Sequence, residues 1–280
     1  MAGTRREFLG VAVGCAAARA AGRVGWTRAE QERFLKEAEV DLIGETLAGV
    51  TGSRRIVLKD GRTRHAAHWQ TVHRYLAATP TPSGVARNVL DSYRHNVAAY
   101  RLDRMLGLEM VPVAVVREIE GVPSALTWCV DDVWLTKLER KRRNRFPPDQ
   151  KQWLEEDYIR RVFDQLIANT DRNQSNILIT RDWRMWFIDH TRAFMREESL
   201  ISQRDLVRCD ERLWKGLAGL NEQVLAAEMD GLLDTACQRA LLGRRDRIVE
   251  EFNVKARKVG PNRVFYEFLG SRKGRFSGAA

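Results

Sequence analysis

Cysteine is scarce in this sequence, and its spacing excludes the sites that cysteine commonly builds. The four cysteines are Cys15, Cys129, Cys209 and Cys237, and no two of them form a Cys-x-x-Cys pair. This spacing supports neither a zinc site nor a dense disulfide framework. Long apolar runs are also missing, since no stretch approaches the roughly 20 residues of a membrane-spanning helix. No Gly-x-Ser-x-Gly motif is present, so nothing in the sequence indicates a serine hydrolase.

What is present is a globular composition with a basic excess. The 280 residues are 44% hydrophobic and 30% charged, a balance typical of folded domains. This length exceeds a typical domain of roughly 100–150 residues and predicts one large domain or two lobes. Lysine and arginine total 47 against 37 acidic residues, which gives a formal net charge of +10. The excess favours an anionic partner but does not identify one.

The N-terminus has the pattern of an export signal. Arg5-Arg6 precedes a short stretch of small and apolar residues, 10–18, and an Ala-x-Ala site follows at residues 18–20. The pattern resembles twin-arginine signals, so residues 1–20 are predicted to be the signal of an exported, periplasmic protein. The alternative is a basic N-terminal helix on a cytoplasmic protein, and lipidation of Cys15 stays open.

The next part of the chain predicts a helix and then a small lobe built around a sheet. Apolar residues at helical spacing between Thr27 and Leu47 predict an N-terminal helix over residues 27–49. Strand patterns and turn residues with one amphipathic helix predict the small lobe over residues 50–130. Its predicted hairpins join Arg54–Lys59 to Arg64–Gln70, and Val111–Glu118 to Ser124–Val130. Residues 77–88, which include Pro80, Pro82 and Gly84, are predicted to be a loop, and residues 93–106 a helix.

After Asp131 the pattern becomes mainly helical, which predicts a second lobe over residues 131–260. Ile159, Val162, Phe163, Leu166 and Ile167 lie on one face of a long helix. Two short strands are predicted at residues 177–180 and 184–188, and later helices at 224–242 and 245–259. Residues 270–280 are predicted to be a disordered tail. The predicted fold class is therefore α+β, with a small mixed-sheet lobe followed by a mainly helical lobe.

Three polar residues around the two short strands predict a site for phosphoryl transfer. Asp171 lies in a polar loop after the long helix, Asn176 precedes the first strand, and Asp189 ends the second. Because a tight hairpin brings its strand ends together, Asn176 and Asp189 are expected to lie close enough to hold a magnesium ion through oxygen ligands. Asp171 is placed to accept the proton of an attacking hydroxyl. The alternative is that these residues only satisfy backbone groups of the loop.

The residues of this stretch form a motif that resembles a known superfamily. Asn169-Thr170-Asp171-Arg172, with Asn176 and Ile188-Asp189-His190, resembles the HipA-type kinases, the phosphoinositide-kinase superfamily and the secretory-pathway kinases related to them. The resemblance implies a two-lobed protein-kinase-like fold that transfers a phosphoryl group from ATP or another nucleotide to an unknown hydroxyl acceptor, a protein or a small molecule. It implies Asp171 as catalytic base, with Arg172 pairing to a carboxylate or phosphate nearby, and Asn176 and Asp189 as ligands of Mg²⁺ or Mn²⁺.

The sequence departs from that superfamily where the nucleotide phosphates are usually bound. A kinase small lobe supplies a lysine paired to a helix glutamate, but the matching positions here are Gln70 and Asn96. The only lysine between residues 50 and 130 is Lys59, and no Gly-x-Gly-x-x-Gly precedes the first strand, where Gly49 and Gly52 are a weak substitute. Gln70, Asn96 and Lys59 are the candidates for binding the nucleotide, and Arg62, Arg64 and Arg74 are alternatives to Lys59 for a phosphate contact. A neutral amide pair leaves no buried unpaired charge, so the second hypothesis is a catalytically impaired pseudokinase that binds a nucleotide or another anion.

A basic run marks a further candidate surface. Lys137–Arg145 contains six basic residues, close in sequence to Trp134, Phe146 and Trp153. The run is interpreted either as a solvated basic loop or as a surface for an anionic partner. A third function class follows from it, namely an exported anion- or polymer-binding protein whose binding is indifferent to Asp171 and Asp189.

Overall fold

The computed structural model describes residues 25–46, 53–81 and 84–269. The predicted export signal at residues 1–20, the predicted tail at 270–280, Cys15, Gly49 and Gly52 lie outside these ranges. Within them, Cys129, Cys209 and Cys237 are buried.

The first element is a helix shorter than the one predicted over residues 27–49. Helix α1 spans Arg28–Glu37 and begins at a capping box, in which Thr27 and Glu30 bind each other's backbone amides. Its end is fixed by Arg117, whose Nη1 atom donates to the carbonyls of Leu35 and Ala38 at 3.0 and 2.7 Å. The prediction was wrong beyond this point, because the chain turns into strand β1, Glu39–Thr46.

The small lobe is built on an antiparallel sheet of five strands in the order β1-β2-β3-β7-β6. The remaining strands are β2 (Arg54–Asp60), β3 (Thr63–Gln70), β6 (Ala114–Ile119) and β7 (Val122–Trp128). Both predicted hairpins are confirmed. The second turns at Glu120-Gly121, whose φ angles of +54° and +76° match the twist of the flanking strands.

The predicted loop at residues 77–88 is instead a second hairpin. Strand β4 spans His73–Thr81 and strand β5 spans Gly84–Ser92, and the two form a separate antiparallel sheet. Pro80 pairs with Val85 in this ladder. A proline is tolerated there because each strand of a two-stranded sheet has a free edge that needs no backbone donor. We call this element the β4–β5 hairpin.

Helix α2 connects the β4–β5 hairpin to the main sheet. It spans Arg94–Leu106, close to the predicted helix over residues 93–106, and ends at Gly107, which has a φ of +64°. It packs against β6 and β7, and most of its residues are buried, including the polar His95 and Asn96. The N-terminal end of α2 therefore brings polar side chains into the interior.

The second lobe is mainly helical. Its long helix α4 spans Gln150–Leu166, as the periodicity predicted, and is preceded by the short helix α3, Lys137–Arg142. A small sheet in the order β10-β9-β8 is formed by β8 (Val133–Thr136), β9 (Ile177–Thr180) and β10 (Met185–Phe187). The chain ends with β11 (Cys209–Asp210), α5 (Glu211–Ala218), α6 (Glu222–Glu228), α7 (Thr235–Val259), α8 (Pro261–Val264) and β12 (Phe265–Tyr266).

The helix boundaries near the end of the chain differ from the prediction. Residues 224–242 were predicted to form one helix, but α6 ends at Glu228, and α7 begins after Asp234, whose carboxylate accepts from the amide of Cys237 at 2.8 Å. Helix α7 then continues through residues 243–244 to Val259. Within the described ranges, no helix is both long and apolar enough to cross a membrane.

Candidate active site

The structure brings Asn176 and Asp189 together at one end of the β9–β10 hairpin. Asn176 immediately precedes β9, and Asp189 follows β10 after one residue. The backbone amide of Ile188 donates to the carbonyl of Asn176 at 3.1 Å, and the side-chain amide of Asn176 donates to Asp189 Oδ2 at 3.3 Å. The strand ends therefore meet as the hairpin argument predicted.

Local backbone structure fixes the direction of both side chains. Asn173 caps a single 3₁₀ turn over Gln174–Asn176, because its Oδ1 atom accepts from the amides of Ser175 and Asn176 at 2.8 and 3.2 Å. Asp189 has a φ of +57°, in the left-handed region that few non-glycine residues adopt. An unfavourable backbone conformation of this kind is typical of functional sites that the surrounding structure holds in place.

Asp171 lies in the loop that precedes this hairpin. The backbone amide of Asp171 donates to the side chain of Asn169, which in turn donates to Asp164 at the end of α4. Its carboxylate accepts from Arg192 Nη1 at 3.1 Å, and its side chain is 30% exposed. Burial raises the pKa of Asp171, and the Arg192 guanidinium opposes that rise.

Arg172 binds inside the protein rather than toward the open site. Its guanidinium pairs with Asp164 at 3.0 Å and donates to the carbonyl of Ile188 at 2.7 Å and to that of Asn176 at 3.2 Å. Its side chain is only 6% exposed. Of the two partners expected for Arg172, the structure shows the carboxylate, and the residue holds the loop and the strand ends in register.

The environment of Asp189 suits a divalent cation. Burial raises the pKa of Asp189, and the like charge of the nearby Asp171 carboxylate raises it further, while the guanidiniums of Arg172 and Arg192 oppose the rise. A carboxylate and an amide oxygen are the ligands that Mg²⁺ and Mn²⁺ prefer. Nowhere in the described ranges do three or more His, Cys, Asp or Glu side chains converge as a metal site. Asn176 and Asp189 therefore fit an ion that takes its other ligands from water and phosphate.

Gln70 and Asn96, the two neutral amides at these positions, form a hydrogen bond with each other. Asn96 Nδ2, on α2, donates to Gln70 Oε1, at the end of β3, and both side chains are buried. Asn96 Oδ1 also accepts from the backbone amide of His190 at 2.8 Å. The amide pair therefore links the sheet and α2 to the residue that follows Asp189.

Lys59 does not lie near this site. It pairs in the β2–β3 ladder with Arg64, six residues before Gln70, at the opposite end of the hairpin. At about 3.3 Å per residue, the two ends are separated by roughly 20 Å. The structure therefore does not bring Lys59 together with Gln70 and Asn96, because the strand carries it away from them, and its binding of the cofactor stays a prediction. Arg64, one of the alternatives, pairs with Asp41 at 3.1 Å at the same remote end.

The sequence reasoning missed the residues that connect the β4–β5 hairpin to the site. Arg192 Nε donates to Asp91 Oδ2 at 3.2 Å, and Arg192 Nη1 donates to Thr79 Oγ1 at 3.3 Å as well as to Asp171. Arg74 also pairs with Asp91, at 3.5 Å. The one available signal for Arg192 was its position three residues after Asp189. For Asp91 the sequence indicated no contact of this kind, because the contact depends on the β4–β5 hairpin, which was not predicted.

The basic run over Lys137–Arg145 is only partly a surface. Lys137 pairs with Asp157 at 2.5 Å, and Arg140 lies over the ring of Trp153 and donates to the carbonyl of Arg145 at 2.7 Å. Lys141, Arg142, Arg143 and Arg145 are exposed. The charged surface available to a partner is therefore formed by these four residues.

The chain is similar in structure to several solved kinases and related proteins. Hydra Fam20, solved with sugar, is 14% identical with a TM-score of 0.67, over 86% of this chain and 92% of that chain. The Golgi casein kinase with Mn/ADP bound is 11% identical with a TM-score of 0.57, over 86% and 80%. The proinflammatory kinase CtkA of Helicobacter pylori is 10% identical with a TM-score of 0.52, over 80% and 98%. No protein-family model and no curated protein matches this sequence.

These similarities and the observed architecture agree on the fold class predicted from the sequence. A small lobe with an antiparallel sheet packs on a helical lobe, and the polar residues of the β9–β10 hairpin lie where the two lobes meet through α2. At such low identity the similarity establishes the fold and no narrower branch, so the HipA-like assignment stays a prediction. The chain has a two-lobed, protein-kinase-like fold.

Proposed function

We propose that the protein transfers a phosphoryl group from ATP or another nucleotide to a hydroxyl acceptor, with Mg²⁺ or Mn²⁺ as cofactor. The observation that carries this proposal is the convergence of Asp171, Asn176 and Asp189 around one hairpin in a kinase-like fold. The Mn/ADP bound to the Golgi casein kinase supports the same ligand class. The acceptor is an unidentified hydroxyl-bearing protein or small molecule.

Each proposed role follows from the position of the side chain. Asp171 is the base, since its carboxylate is partly exposed and can accept the proton of an approaching hydroxyl. Asn176 and Asp189 would hold the metal ion, which supplies charge neutralisation for the phosphates when bound. Arg172 is a positioning residue, because it ties the carbonyls of Asn176 and Ile188 to Asp164. A general base contributes about 10²–10⁴-fold to a rate, which sets the scale of the expected effects.

The proposal predicts different defects for the two aspartates. Nucleotide with Mn²⁺ or Mg²⁺ should raise the melting temperature of the protein, and Asp189→Asn should abolish this shift because the metal loses its charged ligand. Asp171→Asn should keep the shift but reduce transfer at least about 100-fold, because the base is lost while the metal ligands remain. A thermal-shift series and transfer from a γ-labelled nucleotide, to the protein itself or to water, measure the two effects.

Asp230→Asn is the matched control for this experiment. Asp230 is exposed and lies in the turn before α7, so its substitution makes the same chemical change outside the site. Transfer that persists in both Asp171→Asn and Asp189→Asn would contradict the proposal. So would a melting temperature of the unsubstituted protein that no nucleotide changes at any metal concentration tested.

A second candidate function is a pseudokinase that binds a nucleotide or another anion without turnover. The Gln70–Asn96 pair favours it, since this pair occupies the positions of the lysine and glutamate of an active kinase and carries no charge. Nucleotide binding without measurable transfer would support this alternative. Transfer that requires Asp189 would exclude it.

A further inference from the structure

The nucleotide phosphates need a cation that the small lobe does not supply in the usual place. A triphosphate carries several negative charges, and kinase-like sites neutralise them with metal and with a basic side chain. At the expected position stands Gln70, whose side-chain oxygen is occupied by Asn96. Lys59 lies roughly 20 Å along the sheet from Gln70. Charge for the phosphates must therefore come from another element.

The site is also rich in carboxylates. Asp91, Asp171 and Asp189 lie near one another, since, besides burial, the Asp91 carboxylate raises the pKa of Asp171, and the carboxylates of Asp171 and Asp91 raise that of Asp189. Asp91 is completely buried. Without compensation, three neighbouring carboxylates would repel a polyphosphate. A cation placed among them decides whether this cleft can accept an anionic ligand.

Arg192 is that cation. It contacts two of the three carboxylates, Asp91 at 3.2 Å and Asp171 at 3.1 Å, and its side chain keeps 12% of its surface exposed. These contacts and the one to Thr79 use Nε and Nη1. Among the described residues, Arg192 Nη2 has no hydrogen-bond acceptor. By contrast, Arg172 is 6% exposed and uses its guanidinium on Asp164 and two carbonyls.

We propose that Arg192 binds the phosphates of the nucleotide through its Nη2 group, in place of the missing small-lobe lysine. This inference rests on the proposed nucleotide-dependent function and names the residue that makes its phosphate site. Contact with Asp171 sets Arg192 beside the group that receives the acceptor hydroxyl, where the transferred phosphoryl must also lie. The Nη2 group still offers two N–H donors, and a charge-assisted hydrogen bond from them to phosphate oxygens is stronger than one between neutral groups.

The test compares ligands that differ only in their phosphates. Binding of ATP, ADP, AMP and adenosine, each with Mn²⁺, is measured by calorimetric titration for the unsubstituted protein and for Arg192→Gln. The affinity for ATP is expected to fall at least about tenfold in Arg192→Gln, because a charge-assisted contact is lost. The affinity for adenosine is expected to stay within about twofold. Arg192→Lys, which keeps the charge, is expected to retain part of the preference for ATP over adenosine.

Two further variants separate a phosphate contact from a structural role. Arg196→Gln removes an exposed arginine four residues further on, which pairs with Asp234 at 2.6 Å, and is expected to bind every ligand as the unsubstituted protein does. Arg192→Gln alone takes one cationic partner away from the buried Asp91 carboxylate, which could destabilise the fold. The double variant Asp91→Asn with Arg192→Gln removes this carboxylate as well, so that a folding defect does not hide the effect on binding. This double variant is expected to show the same selective loss of ATP affinity.

The outcomes distinguish this inference from the function on which it rests. If the unsubstituted protein binds none of the nucleotides, the proposed function itself fails. If it binds ATP and Arg192→Gln keeps the full preference for ATP over adenosine, the inference alone is overturned. The same holds if Arg192→Gln slows transfer without changing that preference, since Arg192 would then act only by positioning Asp171.

Discussion

The pairing of Gln70 with Asn96 shows how a neutral contact takes over a structural task of an ion pair. Both amides are buried, and each has a partner, because Asn96 binds Gln70 through its amino group and the amide of His190 through its oxygen. A lone lysine or glutamate at either position would bring an unpaired charge into the interior. The two residues are therefore expected to tolerate substitution only together.

This coupling predicts a non-additive pair of substitutions. Gln70→Lys and Asn96→Glu should each lower the free energy of unfolding by roughly 3–5 kcal/mol, because each buries a charge without a partner. The double variant should recover at least about 1 kcal/mol of the summed loss, since the two charges then pair. Urea unfolding of the four proteins measures this coupling. Asn96→Gln is the neutral control, and a double variant whose loss equals the sum of the single losses would rule the coupling out.

For single residues, the sequence predicted those site contacts that depend on short-range spacing along the chain. Asn176 and Asp189 were predictable because a hairpin of known length brings them together. Arg192 and Asp91 were not, because their contact joins positions 101 residues apart and depends on how the β4–β5 hairpin folds onto the second lobe. The side chain of Arg172 was predictable only in part, since spacing does not tell whether a guanidinium points inward.

At the scale of elements, the N-terminal end of α2 is tied to the segment after Asp189 by several hydrogen bonds. His95 Nδ1 lies 2.8 Å from the carbonyl of Thr191, and the amide of Ser92 donates to the same carbonyl at 2.9 Å. Burial lowers the pKa of His95 to about 4, although the Thr191 carbonyl and the carboxylates of Asp91 and Asp234 act in the opposite direction. The neutral ring, with its proton on Nδ1, is the form that fits this contact.

The lowered pKa of His95 predicts a loss of stability in mild acid. The unfolded chain binds a proton at this residue near pH 6.5, and the folded protein does so only near pH 4. The contribution of the neutral His95 ring to the free energy of unfolding is therefore complete above pH 6.5 and is lost as the pH falls toward 4. The loss amounts to roughly 1.4 kcal/mol per pH unit in that window. His95→Asn keeps a donor for the Thr191 carbonyl but cannot titrate. The slope of its free energy of unfolding against pH should therefore be smaller than that of the unsubstituted protein, by an amount that corresponds to about one proton.

Urea unfolding at a series of pH values between 4 and 7 measures this difference. Phe194→Leu is the control, because it weakens the ring contact with His95, at 5.5 Å between centroids, and leaves the titrating group in place. Its stability should be lower at every pH but should keep the slope of the unsubstituted protein. Equal slopes for His95→Asn and the unsubstituted protein would show that His95 is not the group responsible.

Elements with strong local signals were predicted well, and those that depend on tertiary contacts were not. The turn at Glu120-Gly121 fixes its hairpin locally. Strand β1 was missed because Leu42 and Ile43 also fit a helical period, and only pairing with β2 decides between the two structures. Arg244 is a further example: it is fully buried on α7 and donates to the carbonyls of Leu166 and Met195 at 2.8 and 2.9 Å, a role that no sequence pattern indicated.

At the scale of the whole molecule, the cationic side chains of the described residues include arginines used in internal contacts and an exposed basic surface near the site. Several arginines, including Arg172, Arg192 and Arg244, are used inside the protein. Helix α3 packs against the 3₁₀ turn that carries Asn176, and it presents Lys141 and its basic neighbours to solvent. An anionic partner bound to α3 would therefore lie beside the candidate active site rather than on a remote face.

This arrangement predicts that binding to polyanions depends on the position of the charges and not only on their number. Lys141, Arg142 and Arg143 changed to Gln should weaken binding to duplex DNA, used as a polyanion, and lower the slope of log K against log salt by up to about three, since each lost contact releases about one counterion fewer. Changing Arg247, Arg257 and Lys258, three exposed cations of α7, to Gln alters the net charge equally. This control should lower the slope by less than half as much. Equal effects of the two triple variants, measured by fluorescence anisotropy at four salt concentrations, would show instead that binding follows net charge and that α3 is an ordinary solvated face.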